Sequence, residues 1–172
     1  KIDVDIEDAL GRKWQCATVQ LDFQMPERFD ATYEGKDGKR HRVVVIHRAI
    51  LGTLERFIGV LLEHYSGKLP TWLNPVQVKI VTVNDRNIPF AEKVVQQLRQ
   101  EKIRVEEDFR AESIGKKVRD AQVQQVNYIL TIGDKEVDNA TIAIRTRAGN
   151  VVFGAAINKF VADLTQEIRE RR

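Results

Sequence analysis

Apolar and polar residues alternate at the start of the chain with the two-residue period of a β-strand. Residues 2–6 and 17–24 both follow this period, which predicts two half-buried strands. In the second segment one face holds Val19, Leu21 and Phe23, and the other holds Thr18, Gln20 and Asp22. The first strand pattern begins at Lys1 with no lead-in, so we expect the chain to be a piece of a longer protein.

Turn residues divide the next stretch into a hairpin. A glycine and an Asp-Gly pair within residues 35–38 separate a short predicted strand over 31–34 from a longer one over 41–47. Residues 43–46 are continuously apolar. This run predicts that the longer strand is central in its sheet and covered on both faces.

An amphipathic helix is predicted over residues 49–65, where leucine and isoleucine recur at helical spacing. Two glycines, Gly52 and Gly59, fall inside this predicted helix. Each weakens a helix by about 1 kcal/mol relative to alanine. We therefore expect another group to approach the backbone closely at these positions.

A change of pattern divides the chain near residues 66–75, a stretch with two prolines and a glycine. Beyond it strands and helices alternate, which predicts a mostly parallel sheet with helices on its faces. The predicted strands are 76–83, 103–106, 128–132 and 141–145, and the predicted helices are 90–102, 114–126 and 156–171. The expected domains are therefore 1–66 and 76–172, joined by a linker over 67–75.

Composition narrows the class of protein without naming a function. The 172 residues are 42% hydrophobic and 31% charged, and no apolar run is long enough to span a membrane. A single cysteine excludes an internal disulfide and fits a reducing compartment, so we expect a cytoplasmic location. The net charge is +3, and the surplus of Lys and Arg lies in residues 71–172, which permits a phosphate-bearing partner.

Two segments carry recognisable motifs. Residues 14–23 read Trp-Gln-Cys-Ala-Thr-Val-Gln-Leu-Asp-Phe, and residues 47–61 begin His-Arg-Ala-Ile-Leu-Gly. Both resemble the threonyl-tRNA synthetases, a family of class II aminoacyl-tRNA synthetases, and residues 47–61 resemble the third signature motif of that class. Further segments that resemble the family are 25–29, 69–73, 75–78, 114–119 and 133–137. The related synthetases for histidine, proline and glycine share this architecture.

The resemblance implies a fold and an activity. The expected fold is α/β (α+β), with an antiparallel-sheet part of a class II catalytic domain followed by a mixed, mostly parallel α/β anticodon-binding domain. The expected activity is that of a threonine–tRNA ligase, which uses ATP with Mg²⁺ to activate threonine and then transfers it to tRNA(Thr). The first and second motifs are absent from this sequence, so the segment alone is expected to be inactive, with a homodimer formed through the missing part.

Arg56 and Gln15 are the catalytic residues that the resemblance implies. Arg56 stands at the third-motif arginine and is expected to contact ATP near the γ-phosphate, where a guanidinium suits phosphate better than an ammonium does. Gln15 is expected to face the adenylate. The alternative for Arg56 is an ordinary salt bridge, for instance with Glu55 or Asp22.

His47 is the metal ligand that the resemblance implies. It would be the third ligand of a catalytic Zn²⁺, with the other two ligands outside this chain and the open positions taking the amino group and hydroxyl of threonine. Such a metal rejects valine, which is isosteric but lacks the hydroxyl. A histidine at the end of a strand also has a purely structural interpretation.

Four further residues are implied to contact the small substrates: Thr18 toward the adenylate, Gln20 toward threonine, Cys16 in the threonine pocket, and Lys1. From the residues alone, Thr18 and Gln20 share one strand face with Cys16. That face could equally be solvated, as is common in antiparallel sheets, and Cys16 could be a small buried side chain.

The second domain is expected to bind the anticodon loop. Because arginine pairs well with guanine, Arg119 is the candidate for a guanine contact, with Glu136 and Arg145 for the next base. Basic neighbours expected to meet phosphate are Lys116, Lys117, Lys135 and Arg147. Many family members carry a polar residue where this chain has Ala111, so that contact is missing or supplied by Arg110. Such charges on helices are also typical of a solvated surface.

Two other functional classes fit parts of the sequence. One is a non-catalytic RNA-binding module derived from an anticodon-binding domain, and the other is a dimerising scaffold. The retained residues Gln15, Cys16, Gln20, His47 and Arg56 favour the enzyme, because a module without catalysis has no need of them.

Overall fold

The computed structural model describes residues 1–171, and these form two compact units. The first unit is Lys1–Gly67 and the second begins at Lys68. Within the described residues, no helix has both the length and the apolar character that crossing a membrane requires.

The first unit is built on a three-stranded antiparallel sheet in the order β1-β2-β5. A two-stranded hairpin, β3 with β4, lies apart from this sheet. The elements are β1 (Ile2–Glu7), β2 (Lys13–Asp22), α1 (Gln24–Arg28), β3 (Thr32–Glu34), β4 (Arg40–Arg42), β5 (Val45–Ala49) and α2 (Leu54–His64). Both strands predicted at the start of the chain form, but every residue of β1 is exposed, so the half-burial expected for that strand is wrong.

The strand predicted over residues 41–47 is divided in the structure, and the expected burial is wrong. Its first part is β4 in the hairpin, and its second part is β5 at the edge of the three-stranded sheet. Val44 and Ile46 are 50% and 63% exposed. An apolar run is compatible with a strand buried on both faces but does not by itself supply the neighbours that bury it.

Helix α2 begins later than its pattern predicts. It starts at Leu54, where Thr53 is the N-cap and accepts a hydrogen bond from the Arg56 amide. Gly52 therefore lies in the turn before the helix, with φ of +69°. A Cβ at Gly52 would lie 2.9 Å from the carbonyl oxygen of Cys16, so the close approach expected there is confirmed. At Gly59 a Cβ would meet nothing within 4 Å in the described residues, so the close approach expected there is wrong.

This difference between the two glycines gives a matched pair of variants. Gly52→Ala should destabilise the first unit by about 1–3 kcal/mol, because alanine is strained at positive φ and its Cβ would press on the Cys16 carbonyl. Gly59→Ala should stabilise the same unit by about 0.5–1 kcal/mol. Urea unfolding of the chain, followed by Trp14 fluorescence with Trp72 replaced by phenylalanine, measures both. Equal effects of the two substitutions would contradict the expectation.

The second unit contains a five-stranded mixed sheet in the order β10-β9-β8-β6-β7. Strand β6 pairs in parallel with β7 and β8, and β9 is antiparallel to both β8 and β10. The elements are β6 (Val78–Thr82), a 3-10 turn (Asp85–Asn87), α3 (Ile88–Gln100), β7 (Val105–Asp108), α4 (Ile114–Val123), β8 (Tyr128–Ile132), α5 (Asp134–Asn139), β9 (Thr141–Thr146), β10 (Val151–Ala156) and α6 (Ile157–Arg169). The predicted α/β fold class is confirmed.

The core of the second unit lies between this sheet and its helices. Its fully buried side chains include Ile80, Leu98, Leu130, Ile142 and Leu164. Their burial excludes water from a continuous apolar cluster, which is the main stabilising term for a unit of this size.

The segment that precedes β6 also packs on the second unit. Leu69, Thr71 and Asn74 are buried, although all three lie in the stretch interpreted as a linker. The Asn74 side-chain amide donates to Asn127 Oδ1 at 2.7 Å, and Gln77 Nε2 donates to the Thr71 carbonyl at 2.8 Å. These buried hydrogen bonds fix the entry of the chain into β6.

Candidate functional site

A row of polar side chains follows one face of β2. Thr18, Gln20 and Asp22 share this face, because alternate residues of a strand point the same way. Gln20 pairs directly with His47 on β5, so the imidazole lies on the same face. Gln20 Nε2 lies 3.4 Å from Thr18 Oγ1, which links the row along the strand.

The His47 ring is held by a carboxylate. Its Nε2 lies 3.0 Å from Asp22 Oδ2, and its side chain is 42% exposed. The other Asp22 oxygen accepts 2.9 Å hydrogen bonds from the amides of Gln24 and Met25. The Met25 amide, followed by the His47 ring, lowers the pKa of the Asp22 carboxyl. An ionised Asp22 thus orients the imidazole from a fixed backbone position.

This geometry fits a histidine that binds a metal ion through its other ring nitrogen. Metal-binding histidines usually have their second ring nitrogen bonded to a carboxylate, a backbone carbonyl or water, and His47 has such a bond with Asp22. Residues 1–171 contain no group of three or more His, Cys, Asp and Glu side chains that could hold a metal by themselves.

Asp3 was not identified from the sequence. It contacts the remaining substrate candidates of the first unit, which are Gln15, Thr18 and Lys1. It pairs with Thr18 across β1 and β2, and its Oδ1 accepts from Gln15 Nε2 at 2.5 Å. Lys1 Nζ lies 3.2 Å from the same oxygen. Burial raises the pKa of Asp3, but hydrogen bonds from Thr18, Lys1 and Gln15 lower it more. The sequence signal that could have identified Asp3 was the presence of acidic residues at alternate positions of β1.

Arg56 lies at the start of α2 and reaches back to β2. Its Nη1 donates to the Gln15 carbonyl at 3.2 Å, and its Cζ lies 5.9 Å from the centre of the Trp14 ring. Within residues 1–171 Arg56 forms no ion pair, so neither Glu55 nor Asp22 is its partner. The guanidinium is exposed, with donors that remain open to a ligand.

Cys16 is the one substrate-contact candidate of the first unit that is buried. Its residue exposure is 3%, and its backbone lies against Gly52 in the turn before α2. This burial matches the interpretation of Cys16 as a small buried side chain.

Arg119 lies on the exposed side of α4 and lines a groove of about 490 Å³. The neighbouring Arg110 lines the same groove, and its Nη2 binds both Asp108 and Asp120, at 2.6 and 2.8 Å. These carboxylates, Asp108 first, raise the pKa of the Arg110 guanidinium. Both arginines of this groove are exposed, and Arg119 is the one without an ion pair within residues 1–171.

The other base-contact candidates lie elsewhere in the second unit. Glu136 accepts a 3.0 Å hydrogen bond from the Gly133 amide at the start of α5 and lines a separate cavity of about 440 Å³ with Lys135 and Phe153. Arg145 is half-buried on β9, opposite Ile129 of β8. The structure thus does not gather Arg119 and Glu136 into one pocket.

Two of the basic residues expected to meet phosphate have structural roles instead. Lys117 is 2% exposed, and its Nζ donates to the Thr82 carbonyl at 2.8 Å, so the expectation of a phosphate contact is wrong. Arg147 donates to the Leu69 carbonyl at 2.7 Å. Lys116 is exposed but forms an ion pair with Glu112. Position along a helix could not show that Lys117 is buried and Lys116 exposed, because burial depends on the packing of α4 against β6.

Both units match known protein families. Residues 1–65 match the tRNA synthetase class II core domain (G, H, P, S and T), and residues 77–167 match the anticodon binding domain. The chain belongs to the anticodon-binding domain family. Arg119 on α4 and Glu136 on α5 both lie within the residues that match the anticodon binding domain.

Three similar proteins are all threonine–tRNA ligases or a domain of one. A threonine–tRNA ligase of Clostridium tetani is 52% identical over 99% of the chain, and one of Carboxydothermus hydrogenoformans is 48% identical over all of it. The RNA-binding domain of threonyl-tRNA synthetase from Cryptosporidium parvum Iowa II aligns with a TM-score of 0.76 and 36% identity, covering 96% of this chain and 42% of that one. The resemblance to threonyl-tRNA synthetases is confirmed. The chain spans 27% of the length of each of the two ligases.

Proposed function

We propose that the chain is the C-terminal part of a threonine–tRNA ligase, which activates threonine with ATP and transfers it to tRNA(Thr). The observation that carries this proposal is the polar row of the first unit, where Gln20 pairs with His47 and Arg56 meets the Gln15 backbone. Residues 1–66 then belong to the catalytic domain and residues 76–172 form the anticodon-binding domain. Activity of the full-length protein in threonine-dependent ATP–pyrophosphate exchange tests it.

The role proposed for Arg56 follows from its open donors. During activation, negative charge moves onto phosphate oxygens as pyrophosphate leaves, and a fixed guanidinium stabilises that charge. Arg56 already has one N–H bound to the Gln15 carbonyl, which limits its rotation. Gln15 and Lys1 both bind Asp3, which pairs with Thr18. Gln15, Thr18 and Lys1 are proposed to contact the adenylate with ATP-bound Mg²⁺ nearby.

The role proposed for His47 is selection of threonine. Zn²⁺ bound by His47 and two ligands from outside this sequence would supply a Lewis acid that accepts the amino group and hydroxyl of threonine. The Asp22 carboxylate holds the imidazole for that purpose, and Gln20 lies beside it. The proposal includes a homodimer, formed through parts of the catalytic domain beyond this sequence, that works in the cytoplasm.

The second unit is proposed to bind the anticodon loop through Arg119, Glu136 and Arg145, with Lys116 and Lys135 near phosphate. Support comes from the exposure of Arg119 and Lys135 and from the family match over residues 77–167. Unpaired loop bases offer edges that arginine and carboxylate side chains can read.

Replacing Arg119 by alanine should raise the Michaelis constant for tRNA about 5- to 100-fold in the full-length protein, the range of one arginine–guanine contact. Threonine activation should stay near normal, because exchange requires no tRNA. Aminoacylation and exchange assays measure the two quantities. Lys159→Ala is the control, since it removes an exposed charge on α6 of the same unit. An equal loss of both activities would show instead that Arg119 supports folding.

A further inference from the structure

The Trp14 indole lies within cation–π distance of two guanidinium groups. The Cζ of Arg12 is 5.6 Å from the ring centre, and the Cζ of Arg56 is 5.9 Å from it. At such distances the negative face of an indole attracts a cation. Trp14 directly precedes Gln15, whose carbonyl accepts the Arg56 hydrogen bond. One short segment of β2 therefore contacts Arg56 in two ways.

The indole itself is anchored by Asp8, in the hairpin between β1 and β2. The Asp8 side chain has no exposed surface, and its Oδ2 accepts from Trp14 Nε1 at 2.8 Å and from Arg12 Nε at 2.6 Å. Its Oδ1 accepts from the amides of Leu10 and Arg12, both at 2.9 Å. These four N–H donors all belong to the same hairpin, so the ring position is set before any ligand arrives.

The same hairpin is tied to α2 at a second point. Arg12 Nη2 donates to Glu63 Oε2 at 3.1 Å. Arg56 and Glu63 are seven residues apart, two turns of a helix, so both lie on the face of α2 that meets the hairpin. Two contacts along one helix face fix both the position and the rotation of α2 relative to Trp14.

We propose that Trp14, anchored by Asp8, is a positioning residue for Arg56. The inference rests on the proposed function, in which Arg56 binds the phosphates of ATP. An exposed arginine loses rotamer freedom when it binds a ligand, and a side chain held in place beforehand loses less. The indole face and the Gln15 carbonyl hold the guanidinium plane, and the N–H groups that remain are left for phosphate oxygens. Neither Trp14 nor Asp8 needs to touch the substrate.

The test is a double-mutant cycle in the full-length protein. Trp14→Leu removes the aromatic face, and it should raise the Michaelis constant for ATP about two- to fivefold, the size of an exposed cation–π contact. The constant for threonine should not change. In an Arg56→Ala background the Trp14 substitution should have no further effect on ATP, because residues that act through one another are not additive. Trp14→Phe keeps an aromatic face, so it should raise the Michaelis constant for ATP less than Trp14→Leu does, and it tests the contact if the leucine variant fails to fold.

Trp72→Phe is the matched control. Trp72 also carries an arginine over its ring, with Arg171 Cζ at 5.7 Å, but it lies in the second unit. This variant should leave the Michaelis constant for ATP unchanged. The same ATP effect of the Trp14 substitution with and without Arg56 would overturn the positioning role while leaving the proposed function intact. Normal exchange by Arg56→Ala alone would overturn the proposed role of Arg56 and, with it, this inference.

Discussion

Arg56→Ala is expected to lower threonine-dependent ATP–pyrophosphate exchange of the full-length protein by about 100- to 1,000-fold. This is the range for removing one fixed donor from developing negative charge. The loss should appear in the Michaelis constant for ATP as well as in the turnover number, because Arg56 is proposed to bind the ATP phosphates and to stabilise the charge that grows on them in the transition state. Arg56 is exposed, and its side chain makes one hydrogen bond within the described residues, so the fold should remain intact.

Arg48→Ala provides the control for this result. Arg48 is also exposed and lies nearby on β5, but it pairs with Val19, so it points to the sheet face opposite the polar row. It should retain near-normal exchange. Arg56→Lys separates charge from geometry, because an ammonium keeps the charge but lacks the planar fork. Full activity of Arg56→Ala, with the chain folded, would exclude Arg56 from the reaction.

His47→Ala is expected to remove bound zinc from the full-length protein and to lower threonine activation by more than about 100-fold. Residues that only orient a metal ligand contribute a factor of about 10 to 100 to metal affinity or activity, and the ligand itself should contribute a larger factor. Asp22→Asn should accordingly show the smaller effect, because it keeps the side-chain volume but weakens the acceptor at His47 Nε2.

Metal content and activity should be measured together for these variants. Elemental mass spectrometry gives the zinc bound per chain, and exchange with threonine and valine gives the selectivity. Loss of the metal should reduce the preference for threonine, because an apolar pocket discriminates poorly between isosteric side chains. Asp37→Asn is the control, since it changes the same kind of His–Asp contact, that of His41, in the β3–β4 hairpin. Normal zinc content in His47→Ala would rule out ligation by this residue.

Local pattern located most elements of the second unit but missed α5 and β10. Helix α5 spans only Asp134–Asn139, too short and too polar to show an apolar period. Strand β10 contains an irregularity between Val152 and Ala155, with Gly154 at φ of +65°, and this interrupts the alternation of side chains. In both places neighbouring strands supply the order that the local sequence lacks.

Local period and motif were enough to predict that Thr18 and Gln20 share a strand face and that Arg56 follows on a helix. The partners of these residues became known from the three-dimensional fold. It placed Asp3 beside Thr18, Gln20 opposite His47, and the amine of Lys117 inside the second unit. Strand register and burial depend on contacts between residues far apart along the chain, and a local pattern restricts these contacts without determining which residues make them.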